Sequence, residues 1–156
     1  MIKIEVLDFK DIEEVSKLAI LFLTEPNVSD NSIINSEENR KYWIEIAGNI
    51  LARDRRSIIL AKEDNKIVGY AMFNLDASKP FKVKKKWCYI SDIYVLPSYR
   101  NKGVGSLLIK RIEEMAKNEG VNAIRLIVWG ENYIGIRFYK KLNFRNVGFL
   151  MEKSVD

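Results

Sequence analysis

A chain of 156 residues with 47% hydrophobic side chains has the size of one domain, 1–156, and should bury roughly two thirds of the surface its unfolded form exposes. No apolar run approaches the ~20 residues that cross a bilayer, and residues 1–10 lack the apolar core of a secretory signal, so a cytoplasmic protein with no membrane partner is expected. With no histidine and Cys88 as its single cysteine, the chain excludes a serine–histidine triad and a cysteine–histidine pair, and no metal is expected.

The net charge of +5 arises from 26 basic and 21 acidic residues and is concentrated in Arg53-Asp54-Arg55-Arg56 and Lys82-Val83-Lys84-Lys85-Lys86. Such patches raise the local concentration of any polyanion without naming it. No helix-turn-helix, zinc pattern or RNA-binding aromatic motif accompanies them, so nucleic acid is not the expected partner.

Ile2 to Val6 alternates as a strand with one wet face, and Asp8 and Asp11 mark the start of a helix carrying Ile12, Val15, Leu18, Ala19 and Phe22. A polar, turn-rich stretch from Thr24 to Asn35 follows. Ser36, with Glu37 and Glu38 behind it, can cap a second helix running to about Arg53, with Trp43, Ile46, Ala47 and Ile50 as its apolar positions. Ser57 to Lys62 and Ile67 to Phe73 are β-rich runs joined by Glu63-Asp64-Asn65-Lys66, as in an antiparallel hairpin. After a loop through Lys79-Pro80, Trp87 to Leu96 reads as a long strand closed by Pro97, in which Cys88 is buried filler.

Val104 to Lys117 reads as a helix with Val104, Leu107, Leu108, Ile112, Met115 and Ala116 on one face, ended by Gly120. Ala123 to Trp129 reads as a strand, Asn132 to Leu142 as a short helix, and Phe144 to Lys153 as a final strand or hairpin broken at Gly148. The order β-α-α-β-β-β-α-β-α-β predicts an α/β domain. It has one mixed, mostly antiparallel sheet with a βαβ crossover and helices on both faces.

The segment from Tyr94 to Ser106 joins a strand, a glycine loop and a helix start, the anatomy of a phosphate cradle. The first amides of a helix have no internal partner and lie at the positive end of its dipole, and Gly103 and Gly105 let the backbone approach a diphosphate. The Walker pattern needs Gly-Lys-Ser/Thr, and the dinucleotide fingerprint needs a small residue where Leu108 stands, so neither fits.

Arg100-Asn101-Lys102-Gly103-Val104-Gly105 matches the Arg/Gln-x-x-Gly-x-Gly/Ala signature of the GNAT superfamily of acyl-CoA N-acyltransferases. Tyr94-Val95-Leu96-Pro97 before it, and Asn132 and Phe138-Tyr139 after it, extend the resemblance. The resemblance implies an N-acetyltransferase that moves an acetyl group from acetyl-CoA, or another short acyl-CoA, to a primary amine by direct attack through a tetrahedral intermediate. The acceptor is an amine on a small molecule or on a peptide or protein. The resemblance further implies that Ile93, Tyr94 and Val95 offer backbone groups to the pantetheine arm, that the amides of Asn101, Lys102, Gly103, Val104, Gly105 and Ser106 after Arg100 take the diphosphate, and that Asn132 bonds the pantetheine chain. Arg137, Lys140, Lys141 and Lys102 are candidates for the 3′-phosphate. A homodimer through the terminal strands is implied, with Phe144, Val147, Phe149 and Leu150 as apolar contacts, and a monomer stays open.

Tyr139 follows Asn132 by seven residues, about two helical turns, so both can face one cleft. A phenol of pKa ~10 can donate to a departing thiolate at neutral pH, which makes Tyr139 the candidate general acid. The attacking amine, with a pKa of about 10.4, needs a base. Asp92 is the catalytic candidate, with Glu131 as the alternative, because Ser91 stands where the family carries a Glu. Gly135 and Asn143 replace the family's Ala and Gly, and Asn143 can take a left-handed cap. Glu25, Asp30, Glu37 and Glu38 could wall the site for a basic amine. The alternative function is a non-catalytic module that binds acyl-CoA to regulate.

Overall fold

The computed structural model describes residues 1–28, 32–77 and 85–155. Asp30, the Lys79-Pro80 loop and Lys82-Val83-Lys84 lie outside the described residues. In chain order the elements are β1 (Lys3–Val6), a 3₁₀ turn (Phe9–Asp11), α1 (Ile12–Leu23), α2 (Glu37–Arg53), β2 (Ile58–Glu63), β3 (Lys66–Asn74), β4 (Trp87–Val95), a second 3₁₀ turn (Pro97–Tyr99), α3 (Val104–Asn118), β5 (Ala123–Arg125) and α4 (Tyr133–Lys141). The strands form one sheet in the order β1-β2-β3-β4-β5, antiparallel except for β4 beside β5, where α3 makes the crossover. The expected mixed α/β sheet is the one observed.

Local chemistry explains the elements. Asp64 and Asn65 both take positive φ (47° and 67°), as a two-residue hairpin turn requires, and join β2 to β3. The Ser36 side chain accepts from the Asn39 amide at 3.1 Å and starts α2, and Gly120 (φ 68°) follows the end of α3. Ile58, Ile59, Leu60 and Ala61 of β2 are all buried because α1 and α2 cover one face of the sheet and α3 the other. Leu107, expected on the buried face of α3, is exposed; Ile109 is buried there instead.

Two expected strands differ. The run from Ala123 to Trp129 is strand only to Arg125, because beyond it the chain leaves β4 and has no ladder to continue. Phe144 to Lys153 forms no strand. Phe144 packs on the core, but the residues after it have no partner strand, and Val147, Phe149, Leu150 and Met151 are left exposed.

The strand that positions the site is β4. Met72 pairs with Asp92 but Phe73 pairs with Ile90, so Ser91 is the extra residue of a bulge. Residues alternate faces along a strand, and the bulge reverses their phase. Before it, Cys88 and Ile90 face the α3 core; after it, Ile93 and Val95 pack on that side, and Tyr94 packs with α1 and α2.

Candidate active site

Strands β4 and β5 pair only over Trp87, Cys88 and Tyr89. Past Tyr89 they diverge, and the gap is a cleft. One wall is Ile90, Ser91 and Ile93 of β4. The other is Leu126, Ile127 and Val128, with Phe22, Val28, Asn132 and Tyr139 completing it.

The edge of β4 that faces this gap has a defined phase. Leu96 donates its amide to the Val68 carbonyl at 2.9 Å, so by the two-residue alternation of an antiparallel ladder Tyr94 and Asp92 also direct their backbone groups at β3. Ile93 and Val95 direct theirs to the open edge. Of the three residues expected to offer backbone groups, Ile93 and Val95 have the orientation and Tyr94 does not. The Tyr94 side chain is buried on the other face, 6.2 Å from the Phe22 ring.

The cradle loop lies at the end of β4. Asn101 (φ 61°) and Gly103 (φ 81°) are both left-handed, and Gly103 is the N-cap of α3 with no side chain capping the helix. The amides of Val104, Gly105 and Ser106 therefore lack an intrahelical partner at the positive end of the dipole, an arrangement that suits a diphosphate. Gly103 is glycine because of its φ. Gly105 has a different reason: a Cβ there would stand 3.0 Å from the Phe138 ring, so its small size serves the contact between α3 and α4. Lys102 lies 5.3 Å from the centroid of the Tyr99 ring at the rim. Arg137, Lys140 and Lys141 are exposed on α4.

Arg100 is turned away from the cradle. Its Nη1 and Nη2 donate to the two carboxylate oxygens of Glu25 at 2.7 and 2.6 Å, and its Nε donates to the Val95 carbonyl at 2.9 Å. Glu25 is thus spent on an ion pair and is no free acidic wall. Glu37 is likewise bound to Arg40.

On α4, Asn132 is the N-cap, accepting from the Gly135 amide at 2.8 Å. Gly135 leaves room for that fold-over, since a Cβ would meet the Asn132 amide at 2.7 Å. Asn143 takes φ 63°, the left-handed cap its type allows. Tyr139 reaches the cleft with its ring held at 5.2 Å from Phe138 and 5.5 Å from Phe144. Burial pushes its phenol well above the usual value, so it stays protonated and remains a donor at neutral pH.

Asp92 does not line the cleft. It is buried on the α1/α2 face, where its Oδ2 accepts from the Tyr70 hydroxyl at 2.9 Å and from Trp43 Nε1 at 3.3 Å. Burial raises its pKa, and the hydrogen bonds from Tyr70, Trp43 and Ser91 oppose the rise. The two residues expected to act together are therefore on opposite sides of β4. Sequence reasoning missed Trp43 and Tyr70 as its partners, since both look like ordinary apolar-face residues. Cys88 is fully buried beneath α3 with its thiol pushed up to about 12 by burial, as filler should be.

Among the described residues no group of three His, Cys, Asp or Glu side chains could hold a metal, and no helix is long and apolar enough to cross a membrane.

The sequence profile of the Acetyltransferase (GNAT) family matches residues 20–144, and the chain belongs to that family. It is 32% identical over 85 residues to the thialysine N-epsilon-acetyltransferase of Mus musculus, covering 52% of this chain and 46% of that protein. The matched stretch thus spans under half the length of that relative. It is 25% identical over 163 residues to the spermidine N(1)-acetyltransferase of Thermoplasma acidophilum, covering 99% of this chain and 96% of that one. The fold is shared with AAC(6')-Iy, solved in complex with a CoA bisubstrate analog, at a TM-score of 0.73 and 19% identity over 100% of this chain and 99% of that chain.

Proposed function

We propose that this chain transfers an acetyl group from acetyl-CoA to the amine of a small alkylamine. The observation that carries the reading is the gap between β4 and β5 with Tyr139 on its wall, together with the uncapped start of α3, which follows the end of β4 and packs on α4 through Gly105 and Phe138. The Val104, Gly105 and Ser106 amides hold the diphosphate, and Ile93 and the Val95 amide bond the pantetheine arm as an added strand would, the Val95 carbonyl being held by Arg100. Asn132 uses the amide group left over from its capping bond on the same arm.

Bound acetyl-CoA supplies the thioester that the amine attacks directly. The phenol of Tyr139 gives its proton to the departing sulfur and regains one from solvent after the thiol leaves; burial raises its pKa, which keeps it protonated beforehand and makes it the weaker acid. Asp92 lies behind the cleft and takes up the amine proton by relay through Ser91, which lines the cleft and hydrogen-bonds the Asp92 carboxyl. The thialysine and spermidine acetyltransferases among its relatives support an aliphatic amine over a peptide. The exposed Val147, Phe149 and Leu150 support a homodimer in which a second copy covers them. A cytoplasmic location completes the reading.

The test is calorimetric titration with acetyl-CoA of the wild type and of Ser106→Glu, followed by thiol release with spermidine or thialysine added. A carboxylate in the first turn suits the helix dipole, so this variant keeps its melting temperature while repelling the diphosphate. The expected result is saturable binding weakened at least ~10-fold in the variant, about 1.4 kcal/mol. No binding by the wild type sinks the reading. Binding without amine-dependent thiol release favours the regulatory alternative.

A further inference from the structure

The signature arginine is committed to a bond that leads away from the cradle. Arg100 and Glu25 are 75 residues apart in sequence and joined by a parallel pair of hydrogen bonds, 2.7 and 2.6 Å, with both side chains about a quarter exposed. Charge-assisted pairs of this fork geometry fix orientation as well as distance. On one side, Arg100 immediately precedes Asn101, where the cradle loop turns left-handed, and its Nε holds the last carbonyl of β4. Its guanidinium also lies 5.4 Å from the Tyr94 ring, which packs against Phe22.

On the other side, Glu25 belongs to the turn that leaves α1. Its amide donates to the Phe22 carbonyl and its carbonyl accepts from the Val28 amide, both at 3.2 Å. Phe22 and Val28 are the two residues of this turn that line the cleft. The ion pair therefore links the wall of the cleft to the loop that would hold the diphosphate, alongside the Phe22–Tyr94 ring contact.

We propose that Glu25 is a positioning residue that ties the Phe22–Val28 wall to the cradle, so that filling the cradle orders the wall against which the amine sits. This rests on the acetyl-CoA reading above. Because such coupling is reciprocal, an ordered wall also favours a filled cradle.

Hydrogen exchange of the intact chain, with and without saturating acetyl-CoA, tests it in the wild type, Glu25→Gln and Glu25→Asp. In the wild type, acetyl-CoA should slow exchange of the amides at both 101–106 and 22–28, by roughly tenfold at the latter, as coupling of a little over 1 kcal/mol would give. Glu25→Gln should keep the protection at 101–106 and lose it at 22–28, to within about twofold of the free protein. Glu25→Asp, which keeps the charge, should retain part of it and guards against a variant that fails to fold. A merely structural pair would change exchange in the free protein and leave the ligand-induced difference in place, and that result overturns the proposal. So does loss of protection at both segments, which would make the pair a support of the cradle alone. Absence of acetyl-CoA binding in the wild type removes the functional reading and this inference with it.

Discussion

The two faces of the sheet are made from the same strands and bury different chemistry. Under α3 the core is apolar throughout: Ile59, Val68, Phe73, Ile90, Leu108 and Ile112 pack there with Cys88 as filler. Under α1 and α2, Leu60, Ile67 and Tyr94 share the interior with a carboxylate, Asp92, held by Trp43 and Tyr70. An apolar face needs only matched volume. A face with a buried carboxylate must also supply donors, and these come from α2 and β3, which the fold brings together. The bulge at Ser91 decides which β4 residues meet which face.

The largest effect belongs to the apolar face. Ile112→Ala should destabilise by about 2–5 kcal/mol in urea or thermal melts and should leave the pH dependence of stability unchanged. Next is the cleft: Tyr139→Phe should keep acetyl-CoA affinity within a factor of ~2 and lower kcat roughly 10²-fold, about 2.7 kcal/mol, for loss of a positioned acid. An unchanged kcat would return Tyr139 to a packing role.

The polar face follows. Asp92→Ala leaves the Tyr70 hydroxyl and the Trp43 indole N–H without their acceptor and should cost about 1–3 kcal/mol. Asp92→Asn sharpens the contrast. The pKa of Asp92 is raised in the fold, so the stabilisation its protonated form offers is present below the unfolded pKa and is lost as pH rises through the folded value. The melting temperature of Asp92→Asn relative to wild type should therefore rise as pH rises above about 4, the unfolded carboxylate value, and level off once Asp92 is ionised in the fold. A flat difference would mean that Asp92 titrates alike in the folded and unfolded chains, and the two faces would then differ in composition alone. The smallest effect is at Gly105→Ala, where the Phe138 ring must give by a few tenths of an ångström; a cost under ~1 kcal/mol is expected in the same melts.

Much of the fold was legible in the chain because its signals are local. Asp64-Asn65 can take two positive φ angles cheaply, Ser36 and Asn132 can cap, and Gly103, Gly120 and Asn143 can turn left-handed. The strand after Arg125 and the segment after Phe144 were misread because an apolar, β-rich run states a capacity to pair, and pairing needs a neighbour at ladder distance. Of the candidate site, the cradle and the Asn132 to Tyr139 spacing were readable as a strand–loop–helix and a helix period. The direction of Arg100, the company of Asp92 and the reason for Gly105 were not, since each depends on a residue far along the chain: Glu25, Trp43 and Phe138 respectively.

The sequence by itself determined the elements as far as α4, the turns and the caps, because backbone preference and hydrophobic period act over a few residues, and the family, because its motif is contiguous. Only the tertiary structure decided which face of β4 each side chain takes, where β4 and β5 part to open the cleft, and that the signature arginine bonds a glutamate 75 residues away. Those outcomes follow from one extra residue in a ladder and from contacts across the sheet, whose energies exist only once distant segments have met.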